Sequence, residues 1–166
     1  FKMGGGDISN RDMLMHHFVL TNCLAFNCKA KGFDQNNNVG SMTLFNCSGF
    51  GNGTANYRIT KTLAAGQSLT VKNCLSFNGG AELGGFAIQE ANSWLPPFIV
   101  TADDFVSIDP VLAAAPRKAD GSLPDIPFMH LALGSDLIDG GVDLGLPFLG
   151  AAPDLGAFES NYCSIA

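Results

Sequence analysis

The chain is poor in charge. Only 14% of its 166 residues are Asp, Glu, Lys or Arg, against about a quarter in an ordinary globular domain. Nine basic residues leave a net charge of −6, and no basic run exceeds two residues, so nucleic acid is not an expected partner. Long hydrophobic runs are missing too: no apolar stretch approaches the roughly 20 residues of a helical membrane span, and no membrane partner is expected. The five cysteines contain no CxxC pair, and Cys23 and Cys28 lack matching His or Cys partners, which disfavours a zinc site. Gly4-Gly5-Gly6 lacks the Lys-Ser/Thr and the preceding strand of a phosphate loop. No serine stands in a readable His–Asp arrangement. No signal peptide is visible, and because Phe1 falls inside what reads as a repeat, further coils are expected ahead of it.

What the chain has is a phrase written three times: Leu20-Thr21-Asn22-Cys23-Leu24-Ala25-Phe26-Asn27, Leu44-Phe45-Asn46-Cys47-Ser48-Gly49-Phe50-Gly51 and Val71-Lys72-Asn73-Cys74-Leu75-Ser76-Phe77-Asn78. The asparagines are 24 and 27 residues apart, a period that marks a solenoid whose loops vary around a constant rung. Each rung is short, apolar and flanked by Gly and Asn, so it reads as strand and turn rather than helix. The expected fold is all-β, a right-handed parallel β-helix. Coils are expected over 1–102. From 103 to 166 the phrase is lost and Pro becomes frequent, which suggests an irregular tail packed along the solenoid and covering its end, with turns such as Asp120-Gly121-Ser122-Leu123-Pro124.

A second register runs through aromatic residues. Phe1, Phe33, Tyr57 and Phe86 each precede a variable position. Neighbouring side chains of a strand point to opposite faces, so inward aromatics place Lys2, Asp34, Arg58 and Ala87 in one outward column, with rungs about 4.8 Å apart. A charged column on one sheet is where a solenoid can hold a polymer.

Asn22, Asn46 and Asn73 share a repeat position, and a ladder of side-chain amides bonded coil to coil is expected there. Cys23, Cys47 and Cys74 should stack as buried thiols without disulfides. Asn36-Asn37-Asn38 suits either a tight turn or a polar platform for sugar hydroxyls. His16 and His17 read as turn surface. The acidic residues of the tail, Asp136, Asp139, Asp143, Asp154 and Glu159, lack the spacing of a calcium loop and read as caps and turns. Cys163 suggests no role.

Phe1-Lys2-Met3-Gly4-Gly5, then Lys31-Gly32-Phe33-Asp34-Gln35-Asn36-Asn37-Asn38 with the intervening Asn-Cys rungs, resembles polysaccharide lyase family nine, the pectate lyases and their relatives. The likeness covers about residues 1 to 90. The tail segments Leu137–Asp143 and Ala152–Glu159 resemble the closing part of many secreted bacterial β-helix proteins. The resemblance implies a secreted or periplasmic enzyme, expected to be monomeric, that cleaves polygalacturonate by calcium-assisted β-elimination. It implies Lys2 as the base, and calcium ligands among aspartates upstream of this chain, with no metal ligand assigned within it.

The chemistry suits such a base. The proton on C5 lies next to the uronate carboxylate, and a cation on that carboxylate stabilises the developing charge. The lysine must be neutral when it acts, which a nearby cation favours and a carboxylate one coil away, Asp34, opposes. Lys31 competes as base or as a carboxylate contact, and Arg58 suits a bidentate one. Lys31, Asp34 and Arg58 are therefore the expected substrate-binding residues. Fold alone does not give function, and the alternative is a non-catalytic β-helix that binds carbohydrate or serves as an adhesin.

Overall fold

The computed structural model describes residues 1–122 and 124–162. Cys163, and Leu123 of the expected turn, lie outside them. Ten short strands follow one another: β1 (Phe18–Thr21), β2 (Leu24–Phe26), β3 (Lys31–Asp34), β4 (Met42–Phe45), β5 (Ser48–Phe50), β6 (Ala55–Ile59), β7 (Leu69–Lys72), β8 (Leu75–Phe77), β9 (Ala81–Leu83) and β10 (Ile88–Glu90). Every third strand pairs, in parallel, giving sheets β1-β4-β7-β10, β2-β5-β8 and β3-β6-β9. No α-helix occurs among the described residues, only three short 3-10 turns. The molecule is a right-handed parallel β-helix, as the repeat predicts.

Alternation explains which side chains fill the coil. In Met42-Thr43-Leu44-Phe45, Met42 and Leu44 are fully buried while Thr43 and Phe45 face outward, the two-residue period of a strand with one face on a core. Leu20, Leu44 and Val71 stack in register, as do Phe33 and Tyr57. The Phe33 and Tyr57 rings lie 4.7 Å apart and nearly parallel, and Phe1 stacks on Phe33 at 5.0 Å. The thiols of Cys23, Cys47 and Cys74 stack beside them, and the four described cysteines are all free. Hydrogen bonding to Cys47, and then burial, push the Cys23 thiol well above its ordinary range. These sulfurs act as small apolar fillers, since the reactive form is the thiolate.

Two expectations are corrected. Asn22, Asn46 and Asn73 do share a column, but they are left-handed turn residues with φ of 52°, 49° and 53°. They do not form an amide ladder: buried Asn46 Oδ1 has no hydrogen-bond partner among the described residues, and the Asn73 amide is exchanged with the backbone of Val142 in the tail. Asn tolerates positive φ better than other side chains, and that is what these positions select. The buried amide network lies instead at Asn52 and Asn56. Asn56 Nδ2 donates to Gly49 O and Ser76 Oγ at 2.9 Å, and its Oδ1 accepts from Asn52. Gly49 leaves the room: a Cβ there would sit 2.5 Å from that of Asn56.

The fourth coil also departs from expectation. Arg58 pairs with Glu82, and Tyr57 with Ala81, so Ala87 is not in the charged column and Phe86 is not in the aromatic one. The coil closes early, with β7 and β10 residues 18 apart where earlier coils need 24 or 27. Trp94 then packs against Tyr57, its ring tilted and 5.1 Å away.

The tail lies along one side of the solenoid. Phe26, Phe50 and Phe77 point outward from β2-β5-β8, and Phe105, Phe128, Leu131, Leu137 and Leu155 pack over them. Phe128 meets Phe26 and Phe50 edge-on, at 5.1 and 5.2 Å. Tail carboxylates work as turn acceptors: Asp139 Oδ1 takes the N–H groups of Ala151 and Ala152, and Glu159 those of Leu149 and Asp154.

Asn56→Ala should therefore cost about 3 kcal/mol in urea unfolding, because it leaves buried partners unpaired. Asn46→Gly, which keeps the positive φ and removes an unpartnered oxygen, should stay within about 1 kcal/mol. Equal costs would contradict the placing of the network.

Candidate functional site

The outward face of β3-β6-β9 carries the charge. Lys2 bridges Asp34 in parallel, Asp34 pairs with Arg58, and Arg58 with Glu82. These four residues form a column one rung apart, and the fully buried Phe33 and Tyr57 behind them fix its register. The Phe1–Gly4 segment is tied to the next coil by hydrogen bonds from Met3 N to Asp34 O and from Asp34 N to Phe1 O, at 2.8 and 2.9 Å. Gly4 permits that approach, because a Cβ there would meet the carbonyl oxygens of Asn36 and Gln35 at 2.5 and 2.7 Å.

Two ion pairs shape the electrostatics. Lys31 Nζ lies 3.0 Å from Asp34 Oδ1, with both side chains partly covered. The same oxygen accepts the Asn36 N–H at 3.1 Å. Lys2 is exposed, and the four salt bridges of the described residues do not include it. Lys31 thus engages the carboxylate that sequence reasoning set against Lys2. Arg58 Nη1 meets Glu82 Oε2 at 2.6 Å, with each side chain more than 40% exposed. Such a surface pair is worth about 0.2–1 kcal/mol and is readily exchanged for another carboxylate.

Lys31, Asp34, Gln35, Asn36, Asn37, Arg58, Thr60 and Lys61 line a polar cavity of about 270 Å³, with Lys2 one rung beyond it. The Asn-rich string is turn chemistry in which buried amides hold the walls. Asn36 and Asn37 have φ of 45° and 66°, and Asn36 Nδ2 donates to Gly4 O at 2.9 Å. Gln35, only 3% exposed, takes the Lys61 N–H on its Oε1 and donates its Nε2 to Lys61 O, both at 2.8 Å. Asn38 holds His16 by its N–H and its carbonyl.

Sequence reasoning missed Lys61 and Glu82. Lys61 follows Arg58 at the offset by which Asn37 follows Asp34, so extending the register by three residues would have found it. Glu82 was hidden by the shortened turn before β9.

The carboxylates here do not suit a calcium ion, which takes six to eight oxygens. Asp34 is held by Lys31 and Glu82 by Arg58. The described residues include no cluster of three or more His, Cys, Asp or Glu that could hold a metal.

Parallel coils of this length, with a cationic groove on one outward face, define a parallel β-helix. No protein-family model matches the chain. It is 38% identical over 97% of its length to pectate lyase L of Dickeya chrysanthemi, and 37% identical over 97% to pectate lyase L of Dickeya dadantii. It spans 36% of each of those curated relatives. The crystal structure of pectate lyase Pel9A superposes on 97% of the chain with a TM-score of 0.86 and 34% identity, the chain covering 38% of it. By sequence and by fold the chain is similar to the pectate lyases of polysaccharide lyase family nine over just over a third of their length.

Gly4→Ala should cost about 1–3 kcal/mol, since the contact it breaks is with backbone rather than a flexible side chain. Thermal melts check this. An unchanged melting temperature would show that the Lys2 segment is not held as described.

Proposed function

We propose that this chain carries the base and part of the substrate groove of a pectate lyase that cleaves polygalacturonate by β-elimination. The observation that carries this reading is the Lys2–Asp34–Arg58 register in a chain similar to these lyases: a lysine outside the salt bridges of the described residues, beside a cationic groove, on an acidic protein. Local positive charge of this kind draws an acidic polymer to one face.

In the proposed reaction Lys2 Nζ, neutral, takes the proton from C5 of a uronate unit. The electron pair of that bond forms the C4–C5 double bond, and the C4–O bond breaks. Its electrons leave on the glycosidic oxygen, which gains a proton from water. Lys31 keeps Asp34 engaged in an ion pair. Arg58 exchanges Glu82 for a substrate carboxylate, whose two oxygens match the guanidinium fork. Calcium, which the family resemblance implies, enters only as an ion held by residues of a longer protein, and no step above depends on it. Secretion and a monomeric state belong to the same proposal, as does a division of labour in which coils over 1–102 bind substrate and 103–166 serve as cover.

In the intact protein Lys2→Ala should abolish the rise in ultraviolet absorbance from unsaturated product while leaving the circular dichroism unchanged. Full activity would move the base to Lys31. Lys31→Met should lower kcat/KM, because it takes a cation from the groove and releases Asp34 from its ion pair; an unchanged kcat/KM would remove that role. Arg58→Ala should raise KM and Glu82→Gln lower it, each by about two- to fivefold, the worth of an exposed ion pair. A KM unchanged in both would take Arg58 out of the groove.

A further inference from the structure

Beside the groove lies a second cavity of about 390 Å³, lined by Ile8, Arg11, Leu14, Asn37, Val39, Lys61 and Thr62. It shares Asn37 and Lys61 with the first, and these two side chains are hydrogen-bonded, Lys61 Nζ donating to Asn37 Oδ1. The shared wall is firmly placed. Buried Gln35 clamps the Lys61 backbone from both sides, and Val39 is tied to Leu14 through a 3.0 Å hydrogen bond to Leu14 O and to Ala64 through one at 2.8 Å.

The composition of this cavity is specific. Arg11 and Lys61 supply two positive charges, no carboxylate lines it, and neither residue belongs to any of the four salt bridges among the described residues. Of the nearby acids, Asp7 is turned onto Ser9, accepting its N–H and its hydroxyl. Two uncompensated cations over an apolar floor of Leu14 and Val39, on a chain of net charge −6, call for an anion that also carries apolar surface. A uronic-acid ring has both, a carboxylate on one side and C–H groups across its face.

We propose that this cavity is a second subsite of the groove, taking a uronate unit of the same polymer next to the one held at Arg58. Arg11 and Lys61 bind its carboxylate, and Leu14, Val39 and Ile8 receive the C–H face of its ring. The proposal rests on the acidic-polysaccharide reading above and adds the direction in which the polymer leaves the column. It runs sideways across the Asn37–Lys61 wall.

The test is calorimetric titration of the intact protein with short and long unesterified galacturonate oligomers, comparing wild type with Arg11→Gln, a change confined to the second cavity. The Arg11 side chain is exposed, so the fold should persist, with circular dichroism as the check. Long oligomers should bind the variant about threefold more weakly, the loss of one charge-assisted contact at an exposed site, while the shortest that bind are unaffected. Ile8→Asp, which places a carboxylate in the cavity, should weaken long oligomers in the same way. Unchanged affinity for long oligomers in both variants overturns the subsite and leaves the lyase reading intact. Failure of the wild type to bind any galacturonate oligomer overturns that reading, and the subsite with it.

Discussion

Everything on the outward face depends on the pairing of β3 with β6. Phe33 opposite Tyr57 inside the coil and Asp34 opposite Arg58 outside it are two faces of a single register. A slip by one residue would turn the aromatic rings into water and the charges into the core. Two fully buried aromatic side chains resist that slip, since burying each is worth about 1.5–3 kcal/mol. Phe1 stacked on Phe33 extends the same lock to the segment that carries Lys2. The interior stack thus sets where the lysine stands.

Charge on that face is arranged by pairing rather than by burial. Asp34 sits between two cations of its column, and Lys31, from the same strand, takes its oxygen. Among the described residues Lys2 is left outside the four salt bridges. Arg58 faces solvent with an exchangeable partner. Around these residues, Gln35, Asn36 and Asn38 hold turn backbones through buried or half-buried amides. The walls of the groove are consequently built from hydrogen bonds, and its function-bearing ends are left to the solvent.

Much of the fold was legible because the repeat is written in the residues: Asn22, Asn46 and Asn73 each take positive φ at the same turn between two strands. Reading them as a ladder failed because a buried amide and a left-handed turn ask for the same residue type, and only Asn52 and Asn56 show which need prevails where. The tail's position was also written in the phrase. Leu24-Ala25-Phe26 and Leu75-Ser76-Phe77 put apolar side chains on the outward face, which implies cover on both sides of that sheet. In the candidate site, Lys2, Asp34 and Arg58 follow from strand alternation alone. Ala87 was misplaced and Glu82 overlooked because an aromatic residue was used as the register mark in a coil where Ala81 holds that place and Trp94 fills the space above Tyr57. Lys61 required extending the register past the strand into the turn.

The central claim is that an amine at position 2, presented by this register, removes the C5 proton. It is tested most directly by Lys2→Cys in the intact protein, assayed on polygalacturonate before and after alkylation with 2-bromoethylamine, which rebuilds an amine on a side chain of nearly the same length. The account predicts an inactive cysteine variant that regains ultraviolet-absorbing product on alkylation, while wild type given the same treatment is unchanged. A cysteine variant as active as wild type would contradict it.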